Sequence, residues 1–346
     1  MSDPFEPEPE LLRRAMAPDL RIGRGILAAG LDAPGRAVLL TQPGPYEAMP
    51  AAVRARFDAT FMVESLAASS LEALDEGLPD FERVVGFGGG MTMDAAKFVA
   101  WRHGVPLILA PSIASVDASV TNTIAVRRDD RVVYEGFVVA ERIVADLDVI
   151  AGAPARLNRA GVGDLLSIHT ALVDWPVAAM RDVLQYDVAV AARSAAVLER
   201  LYGLADEVAD VSDVALEAIL RGYAEVNALC LAVGHAGPEE GSEHYFAYRV
   251  EAVAARSFVH GELVGLGTVL MARLQDNAPE RVVAFLDGCG VAWRPDALGL
   301  DRATLVEALA GLPAFVRTAR LAPSIIDVAT LDGGVIDRLI EDLPTA

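Results

Sequence analysis

Short apolar runs separated by amphipathic stretches set the pattern of the first part of the chain. The runs at residues 36–42 (RAVLLTQ), 59–64 (ATFMVE), 83–90 (RVVGFGGG), 106–112 (PLILAPS) and 142–150 (RIVADLDVI) are nearly continuous rather than alternating. Strands covered on both faces read this way. Between them, residues 46–57, 69–74 and 92–102 carry helical spacing, so the first ~150 residues predict an open parallel sheet built from βαβ units. After AGAPARLNRAGVGD the character changes. Long Ala-, Leu- and Val-rich stretches with helical spacing cover 165–173, 187–201, 214–231 and 263–274, broken by Gly-, Pro- and Asp-rich loops such as HAGPEEGSEH. The pattern therefore predicts an α/β domain over 1–152 and an all-α domain over 153–346, joined near 151–156. No internal repeat is visible, and the opening MSDPFEPEPELLRR is acidic and Pro-rich.

Composition narrows the partners. With 346 residues the chain can bury a sizeable core. Its formal charge of −20, from 49 acidic and 29 basic residues, argues against a nucleic-acid surface, which needs clustered Lys and Arg. A small anion needs only a local pocket of backbone N–H groups. Two cysteines, Cys230 and Cys289, provide no disulfide framework and no paired metal spacing. With no basic-then-apolar leader and no long apolar run, a cytoplasmic protein without membrane insertion is expected. The apolar helices suggest contacts between copies of the chain, a homo-oligomer.

Two places hold candidate chemistry. Gly88, Gly89 and Gly90 join a predicted strand to a predicted helix, where bare backbone and helical N–H groups can approach a phosphate. Thr92 follows as a first-turn donor, Asp94 as a cap or hydrogen-bonding group near a ligand, and Lys97 one turn later on the same face. The spacing is not G-x-G-x-x-G, and three glycines can equally make a tight turn. In the helical part, Asp164, His244 and His260 each stand at or near a predicted helix start. One carboxylate and two imidazoles leave open positions on Zn2+ or Fe2+, although an isolated His is commonly a plain hydrogen-bonded residue. His103, His169 and His235 read as structural or surface residues.

Taken together and in order, GFGGGMTMDAAKFVA, PSIASVDASVTNTIAV, APARLNRAGVGDLLSIHTALVDW, GSEHYFAYRVE and HGELVGLG resemble the dehydroquinate-synthase-like, iron-containing alcohol dehydrogenase superfamily. GVGDLLSIHTALVDW with GSEH is most similar to its sn-glycerol-1-phosphate dehydrogenase branch, and GGGMTMDAAK with PSIASVDAS equally to glycerol dehydrogenases. The resemblance implies the dehydroquinate synthase-like fold: a Rossmann-like α/β N-terminal domain binding NAD or NADP, then an all-α C-terminal domain holding one divalent metal, zinc favoured over iron. It places Asp164, His244 and His260 on the metal ligands. Gly88, Gly89, Gly90 and Asp94 fall on the cofactor-phosphate loop. Ser112, Ser115 and Asp117 match the loop that passes the nicotinamide and substrate, with Asp117 either facing a substrate hydroxyl or closing an Asx-type turn.

The implied activity is NAD(P)-linked reduction of a small phosphoketone, dihydroxyacetone phosphate to sn-glycerol 1-phosphate, with Arg159 and Arg249 as candidate phosphate partners. A polyol dehydrogenase without a phosphate site, a dehydroquinate-synthase-like cyclase and a non-catalytic binding protein are the alternatives. The chain departs from the pattern in three places. Tyr248 stands where glycerol-phosphate relatives usually carry a second histidine, Gln42 near where an acidic residue would hold an adenosine ribose, and LRIGRGILAAGL shows no recognisable entry motif.

Overall fold

The computed structural model describes residues 9–32, 34–128 and 131–343. The first eight residues of the Pro- and Glu-rich opening lie outside the described residues. The chain divides into two compact units, one ending at Asn158 and the other beginning at Arg159.

In chain order the first unit comprises α1 (Pro9–Ala15), β1 (Leu20–Gly23), α2 (Leu27–Gly30), β2 (Ala37–Thr41), α3 (Pro43–Ala48), α4 (Ala51–Arg54), β3 (Ala59–Met62), α5 (Ala68–Glu76), β4 (Arg83–Gly88), α6 (Gly90–His103) and β5 (Leu107–Pro111). A 3-10 turn (Asp117–Ser119) leads to β6 (Thr123–Arg128), β7 (Arg131–Phe137), β8 (Arg142–Asp146), α7 (Leu147–Gly152) and α8 (Ala155–Ala160), which runs into the second unit. Six strands form one parallel sheet in the order β1-β8-β5-β4-β2-β3. The register sets Val85 of β4 between Leu39 of β2 and Ile108 of β5, all three fully enclosed. The wholly buried runs of β2, β4 and β5 explain why these strands read as continuous apolar stretches.

The expected helix over 46–57 is instead two short ones, because Pro50 sits between them and pushes Met49 before it to extended backbone (φ −69°, ψ 132°). The run expected as strand over 142–150 ends at Asp146, whose side chain accepts the Asp148 N–H and starts α7. LRIGRGILAAGL, which carries no recognisable motif, holds β1 and α2. Asp146 fixes their connection by accepting N–H bonds from Gly25 (3.1 Å) and Leu27 (2.7 Å).

The second unit contains α9 (Val162–Leu166), α10 (Ile168–Met180), α11 (Val188–Tyr202), α12 (Ala205–Ala209), α13 (Asp213–Val233), α14 (Ser242–Ala254), α15 (His260–Leu274), α16 (Pro279–Cys289), α17 (Arg302–Ala319) and α18 (Gly333–Glu341). No strand occurs among its described residues. The starts are written in the sequence: Asp187, Ser212, Asp301 and Asp332 each accept a first-turn N–H. α15 is the central helix, enclosed from Gly261 to Ala272 and packed on α9, α14 and α16. That placement puts the beginnings of α9, α14 and α15 beside one another.

Candidate functional site

Backbone contact brings the three helix starts together. A Cβ on Gly163 of α9 would lie 2.2 Å from the Gly261 carbonyl oxygen, and one on Gly261 would lie 1.8 Å from that of Ala160. Only glycine at both positions lets α9 meet α15 main chain to main chain. Asp164 and His260 are their sequence neighbours, so this crossing delivers both side chains to one point. A third close approach sets α14: a Cβ on Gly267 of α15 would stand 2.6 Å from the Glu243 carbonyl oxygen. His244 follows in the next position.

Asp164, His244 and His260 thus converge, with one ligand atom from each lying within 4.8 Å of the others. His260 Nε2 is 3.3 Å from Asp164 Oδ1, and the two imidazole centroids are 5.3 Å apart. The donor set is a carboxylate and two imidazoles on three helices, which fits a divalent ion with positions open to substrate. Orientation supports the fit. His244 donates from Nδ1 to Glu243 Oε1 (2.9 Å), which fixes the ring so that Nε2 is the nitrogen that a metal would take once it displaces the proton there. Glu243 is itself fully buried and held by the Gly241 N–H (2.7 Å) and the Thr170 hydroxyl (2.6 Å). Burial alone would depress the His244 pKa, but Glu243, Glu240 and Asp164 outweigh it and hold the ring up at about 10. The carboxylates therefore demand positive charge at this point. Burial first, then the adjacent positive His244, pushes His260 down, towards the neutral form that ligates.

Two further layers surround the cluster, and of their residues only Tyr248 was singled out from sequence, as a departure from the family's pattern. Asp174 is buried beneath the start of α14, where it accepts the N–H groups of Ser242 (2.8 Å) and Ile325 (2.7 Å) and the Gln275 amide (3.1 Å). Glu240 and Tyr248 pair through the tyrosine hydroxyl at 3.2 Å, and the Tyr248 ring lies 6.1 Å from that of His244. In sequence terms, an acid beside a ligand histidine and an aromatic residue one turn beyond it were the only signals available.

The glycine loop belongs to the first unit. Gly89 is the N-cap of α6 with no side-chain cap, and this 14-residue helix presents its first N–H groups over the ends of β4 and β5. The three glycines differ in the room around them. A Cβ on Gly88 would meet Thr92 Oγ1 at 2.4 Å and one on Gly90 would meet Val116 Cγ2 at 2.7 Å, whereas at Gly89 the nearest atom is the end of Ile113 at 3.0 Å. The Thr92 hydroxyl donates to the Gln42 amide oxygen (3.2 Å), and the Ser112 N–H to the Gly88 carbonyl (2.8 Å). Ser112 and Ser115 are buried, and Asp117 opens the 3-10 turn. Asn158 anchors this loop by accepting the Ala114 N–H (3.0 Å).

Asp94 and Lys97 are turned inward rather than along the loop. They form a buried ion pair at 2.7 Å, Asp94 accepts the Ala125 N–H (3.3 Å), and Lys97 donates to the Thr121 hydroxyl (3.2 Å) and the Thr123 carbonyl (2.8 Å). They fasten β6 to α6.

The remaining residues are used structurally. His169 bridges the Asn277 carbonyl (2.7 Å) and the Tyr202 hydroxyl (2.9 Å), His103 meets Asp75 (2.7 Å), and His235 meets the Gln185 carbonyl (3.0 Å). Arg159 donates to the Ala209 carbonyl from Nε (2.9 Å). Arg249 packs its guanidinium against Gly311 of α17.

Residues 31–154 match the family model described as iron-containing alcohol dehydrogenase. A relative from Aeropyrum pernix, named as an NAD(P)+ glycerol-1-phosphate dehydrogenase, is 33% identical over 256 residues, which is 73% of this chain and 70% of that one. One of the same name from Hyperthermus butylicus is 34% identical over 65% of each chain. Among solved structures, glycerol dehydrogenase from Schizosaccharomyces pombe aligns over 94% of this chain and 88% of its own, with a TM-score of 0.72 at 20% identity. An iron-containing alcohol dehydrogenase from Corynebacterium glutamicum aligns over 94% of each chain, with a TM-score of 0.67 at 16% identity, and both likenesses concern the fold. With the six-stranded parallel sheet, the helical second unit and relatives a third identical over most of its length, the chain belongs to the iron-containing alcohol dehydrogenase family.

Proposed function

We propose that the protein is a metal-dependent, NAD(P)-linked oxidoreductase that reduces a small phosphoketone, dihydroxyacetone phosphate, to sn-glycerol 1-phosphate. The observation that carries this reading is the convergence of Asp164, His244 and His260, with His244 aimed by Glu243. Support for the substrate comes from the relatives, which bear the name glycerol-1-phosphate dehydrogenase over most of the matched length.

Each residue then has a task. Gly88, Gly89 and Gly90 and the free N–H groups of α6 receive the dinucleotide pyrophosphate, with Thr92, Ser112 and Ser115 around it. Asp94 supports that loop from behind through Lys97 and β6. Asp164, His244 and His260 hold one divalent metal, taken here as zinc, and two imidazoles with a carboxylate can serve either zinc or iron. When bound, the metal supplies Lewis acidity to the ketone carbonyl and the nicotinamide supplies hydride. Glu243 keeps the His244 Nδ1 proton in place so that Nε2 stays a ligand, and Asp117 faces a substrate hydroxyl. Water or a cofactor ribose hydroxyl supplies the proton.

A polyol dehydrogenase without a phosphate site is the second reading. One observation favours it: Arg159, a candidate phosphate partner, spends its guanidinium on the Ala209 carbonyl. Initial rates with dihydroxyacetone phosphate and dihydroxyacetone, each with NADH and NADPH, separate the two. The phosphoketone reading expects kcat/KM to favour the phosphate by more than about tenfold, since a charge-assisted bidentate contact alone supplies that much. Comparable values would overturn it.

A further inference from the structure

We propose that Asn158 is a positioning residue of the dinucleotide site: without touching the cofactor, its side-chain amide sets how closely residues 112–116 lie over the glycine loop, and so sets the affinity for NAD(P). The inference rests on the dinucleotide reading above and adds a residue that controls it from outside the loop.

Residues 112–116 join β5 to the 3-10 turn, and their side chains roof the glycines. Ile113 Cδ1 is the nearest atom to a Cβ built on Gly89 (3.0 Å), and Val116 Cγ2 the nearest to one built on Gly90 (2.7 Å). A pyrophosphate seated on the N–H groups at the start of α6 therefore has its room set by the backbone that carries Ile113 and Val116. At one end that backbone is tied by the Ser112 N–H to the Gly88 carbonyl (2.8 Å), and at the other the chain closes the 3-10 turn, the Val120 N–H donating to the Asp117 carbonyl (2.8 Å).

Ala114 lies between them, fully enclosed, and its N–H donates to Asn158 Oδ1 at 3.0 Å. Asn158 is itself only 2% exposed, and its Nδ2 donates to the Ile150 carbonyl at 2.6 Å, near the end of α7. One partner needs an acceptor and the other a donor, so the two bonds fix the orientation of the amide. α7 begins on Asp146 at the end of β8, so the amide ties the roof of the glycine loop to the sheet. Without it, the buried Ala114 N–H either loses its acceptor or draws the segment towards water. In both cases Ile113 and Val116 shift over Gly89 and Gly90. An amide that only supports the fold would change stability; one that positions the roof also changes what the glycine loop can hold.

The test titrates NADH and NADPH, by their fluorescence, into the wild type, Asn158→Ala and Asn158→Asp, counting sites per chain so that only folded protein is scored. Asn158→Ala should raise the Kd of both dinucleotides about tenfold, the worth of one buried hydrogen bond, with bound metal per chain unchanged. Asn158→Asp keeps an oxygen for the Ala114 N–H and gives up the amide donor to Ile150. It should lower the melting temperature and yet bring the Kd back to within about threefold of the wild type. A lower melting temperature in Asn158→Ala with the wild-type Kd would make Asn158 a support of the fold alone and overturn the inference, with dinucleotide binding standing. An equal rise of Kd in both variants would overturn it too, because the bond to Ala114 would not be the one that matters. Should Asn158→Ala yield no folded protein, amide hydrogen exchange of the wild type decides. Dinucleotide should slow exchange across residues 112–116, and unchanged exchange there beside newly protected residues 88–92 would overturn the inference. A wild type that binds neither dinucleotide overturns the reading of the glycine loop and this inference with it.

Discussion

Glu243 shows how much of the site rests on a residue that binds nothing itself. Its Oε1 holds the Nδ1 proton of His244 and the Gly241 N–H, and its Oε2 takes the Thr170 hydroxyl. Glu243→Gln keeps an oxygen for the first two donors and removes the charge. It should weaken metal binding by about ten- to a hundredfold, the usual effect of altering a ligand's hydrogen-bond partner, and leave the fold intact. Competition with a chelating dye gives the affinity, and the far-UV circular dichroism melt gives the fold; an unchanged metal affinity would remove Glu243 from this role. The three residues of the proposed metal site were legible in GVGD, GSEH and HGEL only through the resemblance carried by the ordered motifs, because an Asp or a His at a helix start has ordinary structural uses. Glu243 was not, since an acid next to a histidine looks like any polar helix residue until its burial is known. Gly163 and Gly261 were equally silent: their reason is a main-chain crossing between segments nearly a hundred positions apart.

Elements raise a different question, that of what holds the α14 start in place. Asp174, three-bonded beneath Ser242, is pushed up from an ordinary 3.8 to about 7, by burial first and by Glu243 second. Its folded pKa exceeds the unfolded one, so the native state binds more protons between these values. Its contribution is therefore fully present below about pH 4 and is lost as the pH rises to about 7. Asp174→Asn should flatten that slope in a plot of melting temperature against pH, and an equally steep slope in the variant would place the titration elsewhere. In the first unit, Lys97→Met should destabilise by about 3–5 kcal/mol, because it strands the Asp94 carboxylate in the core. Urea denaturation measures this, and a change below ~1 kcal/mol would show that the pair is dispensable. Helical spacing between residues 92 and 102 foretold α6, but its phase pointed Asp94 and Lys97 towards a ligand. The hairpin of β6 and β7, which packs on α6, was hidden: both strands carry polar residues, and β6 buries only alternate positions. The break at Pro50 was readable from the proline and was overridden by the helical period around it.

On the scale of the whole molecule, the two-part character of the sequence, β-rich and then helical, reappears as two compact units. If the first holds the dinucleotide and the second the metal, each can be disabled without the other. Gly89 is the position for the first test, because the nearest atom to a new Cβ there is the movable end of Ile113, whereas Gly88 and Gly90 would drive a side chain into Thr92 or Val116. Gly89→Val should raise the dinucleotide Kd by tenfold or more by blocking close backbone approach, with bound metal unchanged. His260→Ala removes one ligand of three and should abolish metal retention on dialysis while the dinucleotide Kd holds within about twofold. His169→Ala, which loses the side-chain bonds to Asn277 and Tyr202, should lower stability and neither affinity. Thermal shift gives the same matrix independently, since a ligand that binds the native state raises the melting temperature by mass action. Metal should stabilise the wild type and Gly89→Val but not His260→Ala, and dinucleotide should stabilise the wild type and His260→Ala far more than Gly89→Val. If Gly89→Val bound dinucleotide as the wild type does, the glycine loop would lose its assignment even with the metal site intact. If His260→Ala retained its metal, the cluster of Asp164, His244 and His260 would have to be replaced as the centre of the chemistry, whatever the loop binds.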